Sequence, residues 1–449
     1  MTSIVPLIYC IFADMINIKT RGRSMNIHIS DILTLLPDGV ETCPVYISGG
    51  KVASLSTKPE GFTADKTING SGKMLIPGLV NAPTHASMTI LRNCADDLLF
   101  GDWLFGRIMP LEDKLTADDC YWGTQLAIME MLRSGTTSFI DMYYFMDALA
   151  RAVEDSGIRA TLSRGLIGGA DDPSAGEQRL REALDAVANW KGCENLSFML
   201  APHAPYTCDD GFQREIAAEA KRQGLAINTH LSESLSEIET IREKYGCTPI
   251  ELFDKTGLLS ETTVAAHCVH ITDGDIAIMA KRGVHAVTNP VSNLKLANGV
   301  APVPKMLKAG VKVALGTDGA ASNNTLNMFR ELAMLSLIHK GINHDPLAVS
   351  AREAISIATK NGAMAMGRSD IGEISLGSVA DLAILDFDRP NMQPVNDPIA
   401  ALAYSANGSE VETVIVGGRI LMENREFLTI DSEKVVFEVS KICERIGTR

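Results

Sequence analysis

The chain has no Cys-x-x-Cys pair, and its nine cysteines are scattered. A disulfide framework is therefore not expected, and a reducing cytoplasm is the expected compartment. Basic charge is also short: 41 lysines and arginines face 55 acidic residues, a formal net charge of −14. A general nucleic-acid binder wants a basic face, so no nucleic-acid partner is expected, although a nucleoside without phosphate stays admissible. The apolar stretch within MTSIVPLIYCIFADMINIKTRGRS is too short to span a bilayer, and no basic segment precedes it. No membrane partner is expected. Residues 1–24 read as a loosely held extension, or as a segment before a natural start at Met25. G-x-G-x-x-G does not follow the first strand, which counts against a doubly wound dinucleotide fold.

What is present fits a globular chain: 46% hydrophobic and 21% charged residues. A length of 449 residues allows one domain of about 250–300 residues and a smaller one. Near the start, VYISGGKVASLS places Gly-Gly between two β-rich runs, a hairpin signal. The same pattern returns in DIGEISLGSVADLAILDFD and VETVIVGGRILMENREF. Both ends are therefore expected to build one small composite β-sandwich domain, residues 25–74 with 370–430, followed by a C-terminal helix over 431–449. Between them, residues 75–369 repeat a β-then-α rhythm. Candidate strands are LIPGLVNA, TTSFIDM, RATLSRGL, SFMLAPH, AINTH, TVAAHCV, HAVTNP and KVALGTD, separated by amphipathic stretches that often close with Gly. Eight such units fit a (β/α)8 TIM-like barrel, with an open α/β sheet as the alternative.

Catalytic residues of such barrels sit at the C-terminal ends of the strands. His85, His203, His230, His267 and Asp318 all fall there. A neutral imidazole at a strand end is a good zinc ligand, so His230 and His85 are candidate ligands. Glu233, three residues past His230, can reach a substrate beside the metal. Asp318 is a metal ligand that also takes a water proton, or else a helix cap or turn former. His267 is placed to orient the water, while His270 reads as structural. His203, between prolines, reads as a substrate contact. Glu112 and Trp103 lie in the long segment after the first strand, where a carboxylate is ordinarily only solvated.

The stretches PGLVNAPTHASMTILRN, APHAPYT, NTHLSES, AAHCVHITD, NPVSNLKLANGVAP and GTDGAASNNTLNMFREL resemble the amidohydrolase superfamily. More narrowly they are similar to its branch that deaminates 5′-methylthioadenosine, S-adenosylhomocysteine and 5′-deoxyadenosine. The resemblance runs from about Met25 to near the C-terminus. It implies one catalytic zinc per subunit, with iron(II) able to take the same donors, and a homo-oligomer. By matching position, it implies His85, His230 and Asp318 as metal ligands and Glu233, His267 and Asp318 as catalytic residues. Glu112, Arg164, His203, Glu233, Asp318 and Trp103 match substrate contacts, with Arg179 a further arginine after a loop of different length. The implied reaction converts an adenine nucleoside, adenosine included, to its inosine analogue and ammonia. Guanine or triazine-type hydrolysis is a second reading, and a metal-poor binding protein a third.

Two positions depart from the family pattern. Thr288 stands where relatives often carry histidine. Pro83 stands where the pattern PGLVNxHTH carries its first metal histidine, and proline offers no ligand atom. Three protein ligands and a water still complete a tetrahedral catalytic site. Pro83→His is therefore expected to raise zinc affinity and turnover; equal zinc content and equal rates in the two proteins would refute it.

Overall fold

The computed structural model describes residues 25–448, so the expectations for residues 1–24 lie outside the described residues. Two nine-stranded sheets organise the chain. One carries the chemistry. Its first strand, Leu79–His85, runs parallel to Thr136–Tyr143, and the order continues through Arg159–Leu166, Leu196–Pro202, Ala226–Leu231, Thr263–His267, His285–Thr288 and Lys312–Leu315. The short piece Asp318–Gly319 then pairs with Thr84–His85 and closes the ring. This is the expected TIM-like barrel. Its strands read as near-continuous apolar runs because both faces are buried, one by the barrel interior and one by the surrounding helices. Several of the helices begin on side-chain caps. Thr116 and Asp119 form a reciprocal capping box ahead of Ala117–Arg133, and Thr272 and Asp275 form another ahead of Asp273–Arg282.

The second sheet takes strands from both ends of the chain. Lys73–Pro77 lies between Ile27–Leu36 and Leu382–Asp386, and Val411–Val416 continues the same sheet. The join is antiparallel, with Ile76 opposite Ala383 and Leu75 opposite Ile384. Alternate residues Ile27, Ile29, Leu382 and Ile384 bury one shared face. The chain passes between the sheets at Gly78. A Cβ there would lie 2.0 Å from Thr137 Oγ1, so only glycine fits this close approach. The C-terminal helix Ser432–Ile446 packs against Ala117–Arg133, where Arg445 pairs with Asp119. Among the described residues no helix is long and apolar enough to cross a membrane.

Pro83 interrupts the first barrel strand. The pairing with the neighbouring strand shifts register between Asn81 and Thr84, as expected where a residue lacks an N–H to donate. Opposite the break, Gly316 approaches so closely that a Cβ would lie 2.2 Å from the Ala82 carbonyl oxygen.

A buried ion pair ties the sheets together. Arg159 at the foot of the third barrel strand donates from Nε to Asp381 Oδ2 at 2.8 Å and from Nη2 to Oδ1 at 3.2 Å. Asp381 Oδ1 also accepts the Gly417 N–H at 2.7 Å. Removing one partner strands the other charge in a dry place, so Asp381→Ala is expected to cost about 3–5 kcal/mol in urea unfolding. The double variant Arg159→Met/Asp381→Leu is expected to recover most of that loss. A double variant as unstable as the single one would show that charge pairing is not what matters there.

Candidate active site

Closure of the barrel brings three donors together at its C-terminal mouth. His85 Nε2 lies 3.1 Å from His230 Nε2 and 3.2 Å from Asp318 Oδ1. The three ligand atoms all fall within 4.8 Å of one another, and all three side chains are buried. Position 83 supplies no donor to this group.

The backbone sets the tautomers. His85 Nδ1 lies 2.6 Å from the Met142 carbonyl oxygen, and His230 Nδ1 lies 2.8 Å from that of His203. A carbonyl only accepts, so each Nδ1 carries the hydrogen and each Nε2 presents a lone pair. Two lone pairs and a carboxylate oxygen facing one small volume repel unless a proton or a cation lies between them. The donor set could hold a metal ion, with carbonyls behind the imidazoles as is usual for metal-binding histidines. Burial disfavours an imidazolium at His85, but hydrogen bonding to Asp318 and its charge outweigh burial and lift His85 to about 9. Burial alone would raise Asp318, yet its contact with His85 holds it well below the usual carboxylate range. Proton and cation thus compete for the same atoms.

Asp318 is fixed from behind. Its Oδ2 accepts from Ser292 Oγ at 2.6 Å and from Ser322 Oγ at 2.8 Å, leaving Oδ1 for the site. Its backbone is left-handed, with φ +62°, as are Ser232 at +55° and His267 at +72°. Such geometry in non-glycine residues is costly and clusters where side chains must be aimed.

Glu233 and His267 face the same space. His267 Nε2 is 3.7 Å from Glu233 Oε2, and His267 Nδ1 is 2.8 Å from Asn293 Oδ1. Glu233 Oε1 accepts from Asn298 Nδ2 at 3.1 Å, and burial raises its carboxyl above the ordinary range. The turn that carries Glu233 is clamped by Glu237, which accepts the Ser232 and Glu233 N–H groups at 2.7 and 2.9 Å. His203 Nδ1 lies 3.1 Å from Thr207 Oγ1, and burial keeps its ring neutral, with a pKa near 4.

Above this floor lies a cavity of about 290 Å³. His203, Glu112 and Trp103 all line it. Its outer wall comes from the segment after the first strand, where Phe100, Trp103, Leu104 and Met109 turn inward. Glu112 is 7% exposed, its Oε1 has no partner, and burial pushes its carboxyl up to about 7. Arg164 is not brought to the cavity. It lies behind Tyr144, 5.2 Å from the ring centre, and donates to Glu182 at 3.2 Å. Arg179 caps the Ile167 carbonyl at 2.7 Å, and Thr288 lies outside the cavity wall.

Sequence reasoning gave no role to Ser292, Asn293, Asn298, Ser322 or Glu237. Ser292, Asn293 and Asn298 stand within NPVSNLKLANGVAP, but polar residues in a loop carry no sign of which carboxylate they will hold. Ser292→Ala is expected to weaken divalent-cation binding by about 10- to 100-fold, read by competition with a chromophoric chelator. Unchanged affinity would show that Ser322 alone orients Asp318.

The chain is similar to known proteins in sequence and in fold. The model of the amidohydrolase family matches residues 74–421. The 5-methylthioadenosine/S-adenosylhomocysteine deaminase of Acetivibrio thermocellus is 46% identical over 432 residues, covering 94% of this chain and 100% of that one. The crystal structure of an adenosine deaminase from Xanthomonas campestris with bound zinc superimposes with a TM-score of 0.91 at 32% identity, covering 95% of this chain and 99% of that one. Atrazine chlorohydrolase from Arthrobacter aurescens, complexed with zinc, shares the fold at a TM-score of 0.87 and 23% identity, covering 93% and 100%.

Proposed function

This chain belongs to the amidohydrolase family, and from that premise we propose that it is a hydrolytic deaminase of adenine nucleosides. The substrates are 5′-deoxyadenosine, 5′-methylthioadenosine, S-adenosylhomocysteine and adenosine, each giving its inosine analogue and ammonia. One observation carries the reading. A buried carboxyl with a raised pKa, Glu233, faces a histidine whose ring is held by Asn293, beside the donors of His85, His230 and Asp318. This arrangement suits an acid on one side of a reacting carbon and an oxygen nucleophile on the other. The names of the deaminase relatives support the same reaction.

His85 Nε2, His230 Nε2 and Asp318 Oδ1 would hold the cation, with zinc the first choice and iron(II) the second. When bound, such a cation lowers the pKa of water to about 7. The remaining work falls to the chain's own groups. His267 Nε2, a lone-pair acceptor because Nδ1 donates to Asn293, orients the attacking water. Asp318 takes a proton from that water as the oxygen adds to C6 of the purine. Glu233, whose carboxyl burial raises above the ordinary range, gives its proton to N1, so no negative charge builds up on the ring. General-acid help of this kind contributes about 10²- to 10⁴-fold. Asp318 then passes its proton to the departing amino group, ammonia leaves, and the hydroxyl proton left on C6 oxygen restores Glu233.

The cavity supports the substrate side of the reading. His203 is neutral and offers Nε2 to the base edge. Trp103 supplies an apolar face for the nucleoside, and Glu112 has an unpartnered buried oxygen that suits the two hydroxyls of a ribose. On resemblance, a cytoplasmic homo-oligomer completes the proposal.

The test is absorbance-monitored deamination of 5′-deoxyadenosine by metal-loaded protein, following the change from an adenine to a hypoxanthine spectrum. Turnover is expected, and none with bound metal confirmed would overturn the reading. Hydroxyls donate best to the charged form of Glu112, whose carboxyl sits near 7. Nucleoside affinity is therefore expected to rise as pH increases through about 7. Glu112→Gln is expected to lose that dependence and about 10- to 100-fold in kcat/KM. A variant with an unchanged pH profile would remove Glu112 from the site.

A further inference from the structure

The two serines that hold Asp318 Oδ2 stand on separate short helices. Ser292 belongs to Pro290–Lys295, after the seventh strand, and Ser322 to Ala320–Asn323, after the eighth. The N–H groups of a first helical turn have no carbonyl partner within their own helix. Asn289, the N-cap of Pro290–Lys295, makes no cap bond with its side chain; its Nδ2 donates instead to the Gly316 carbonyl oxygen at 3.0 Å. The Val291 N–H therefore needs a partner from elsewhere.

That partner is Glu331, on the helix Met328–Asn343. Its Oε2 accepts the Val291 N–H at 3.1 Å, and its Oε1 accepts from Asn323 Nδ2 at 2.6 Å. Asn323 is the last residue of the helix that carries Ser322. One carboxyl group thus joins both serine-bearing helices. Asn323 gives its other amide hydrogen to the carbonyl oxygen of Thr317, the residue before Asp318, at 2.7 Å. The helix held through Val291 also carries Asn293, the partner of His267. Glu331 is fully buried, and burial pushes its carboxyl up to about 8 against the pull of the two donors. An acid in so dry a place is costly, yet a neutral amide would not replace it. Both partners are N–H donors, and glutamine offers one acceptor oxygen where glutamate offers two.

We propose that Glu331 is a positioning residue for the cation site, locking together the two helices whose serines aim Asp318. The inference rests on the cation site of the proposed function. Glu331 lies outside the cavity wall; it acts through Ser292 and Ser322.

The experiment strips the full-length protein of metal and titrates zinc against a chromophoric chelator, about one pH unit above 8, where Glu331 is ionised. Wild type, Glu331→Gln, the double variant Ser292→Ala/Ser322→Ala and the triple variant are compared, each shown to be folded by circular dichroism. Glu331→Gln is expected to weaken zinc binding by about threefold to tenfold, the scale of one lost hydrogen bond. In the double-alanine background the same substitution is expected to change affinity by less than about twofold, because the serines that carry its effect are gone. A purely structural role would lower stability and leave the affinity of the folded protein alone. Unchanged affinity in Glu331→Gln overturns the inference. So does an equal loss in both backgrounds, which would mean that Glu331 acts by another route. Should Glu331→Gln fail to fold, Asn323→Ala cuts the same link from the other side, and the same two comparisons decide. A wild-type protein that binds no zinc overturns the cation site and this inference with it.

Discussion

The site depends on how the barrel closes. The eighth strand reaches the first only after a break. Lys312–Leu315 pairs with the seventh strand, and Asp318–Gly319, after two intervening residues, pairs with Thr84–His85. At the seam the Asn81 side chain does the work of a missing ladder. It donates to Thr317 Oγ1 at 2.7 Å and accepts the Thr317 N–H at 2.8 Å. The Thr317 carbonyl is bound in turn by Asn323, which also donates to the buried carboxylate of Glu331 at 2.6 Å. That chain of amides holds Asp318 opposite His85. Without it, residues 233 positions apart in sequence would not share a cation-sized space. Gly316 makes room for the crossing, because any Cβ there would meet the Ala82–Pro83 backbone.

A second layer decides what the collected side chains can do. Carbonyls of Met142 and His203 force both imidazoles to present Nε2, and two serines draw off one oxygen of Asp318. Asn293 aims His267, and Asn298 holds Glu233. Each of these partners comes from a strand end or from the short helix and loop beyond one. Rigid strands fix position, and the loops after them choose tautomer and charge. Burial raises the Glu233 carboxyl above the ordinary range, against the pull of the His267 and His85 rings and the Asn298 amide.

Much of this was legible in the sequence for simple reasons. Eight apolar runs alternating with amphipathic stretches leave few architectures, and in a parallel barrel the strand ends converge. His85, His230, His267 and Asp318 could therefore be placed near one another from their positions alone. The composite sheet was legible because both ends of the chain repeat a hairpin pattern and neither has enough strands to stand alone. What was not legible depends on side-chain direction across loops. Arg164 lies two residues before the end of a barrel strand, and His203 one residue past the end of the next, yet Arg164 turns outward to Glu182. Nothing in SRGLIG records that a carboxylate eighteen residues later will claim it. The wall formed by residues 100–109 was equally hidden, since an irregular helical stretch has no clean period to show which residues turn inward.

Pro83 ties these layers together. A proline ends hydrogen bonding on one side of a strand, so the residue is tolerable only where the ladder is already broken. The register shift between Asn81 and Thr84 is such a place, and the seam across Gly316 is held by the Asn81 side chain rather than by backbone pairing at position 83. Closure therefore does not depend on what stands at 83. His85 keeps its backing carbonyl, Asp318 keeps its serines, and His230 belongs to another strand. The three donors are positioned by partners on other elements, Met142, His203, Ser292 and Ser322. Fold and cation geometry are thus separable from the number of ligands: the barrel would present the same three atoms with or without a fourth. Under the proposed reading, a donor missing at position 83 bears on affinity for the cation, while the hydrogen bonds that aim His85, His230 and Asp318 come from elsewhere in the chain.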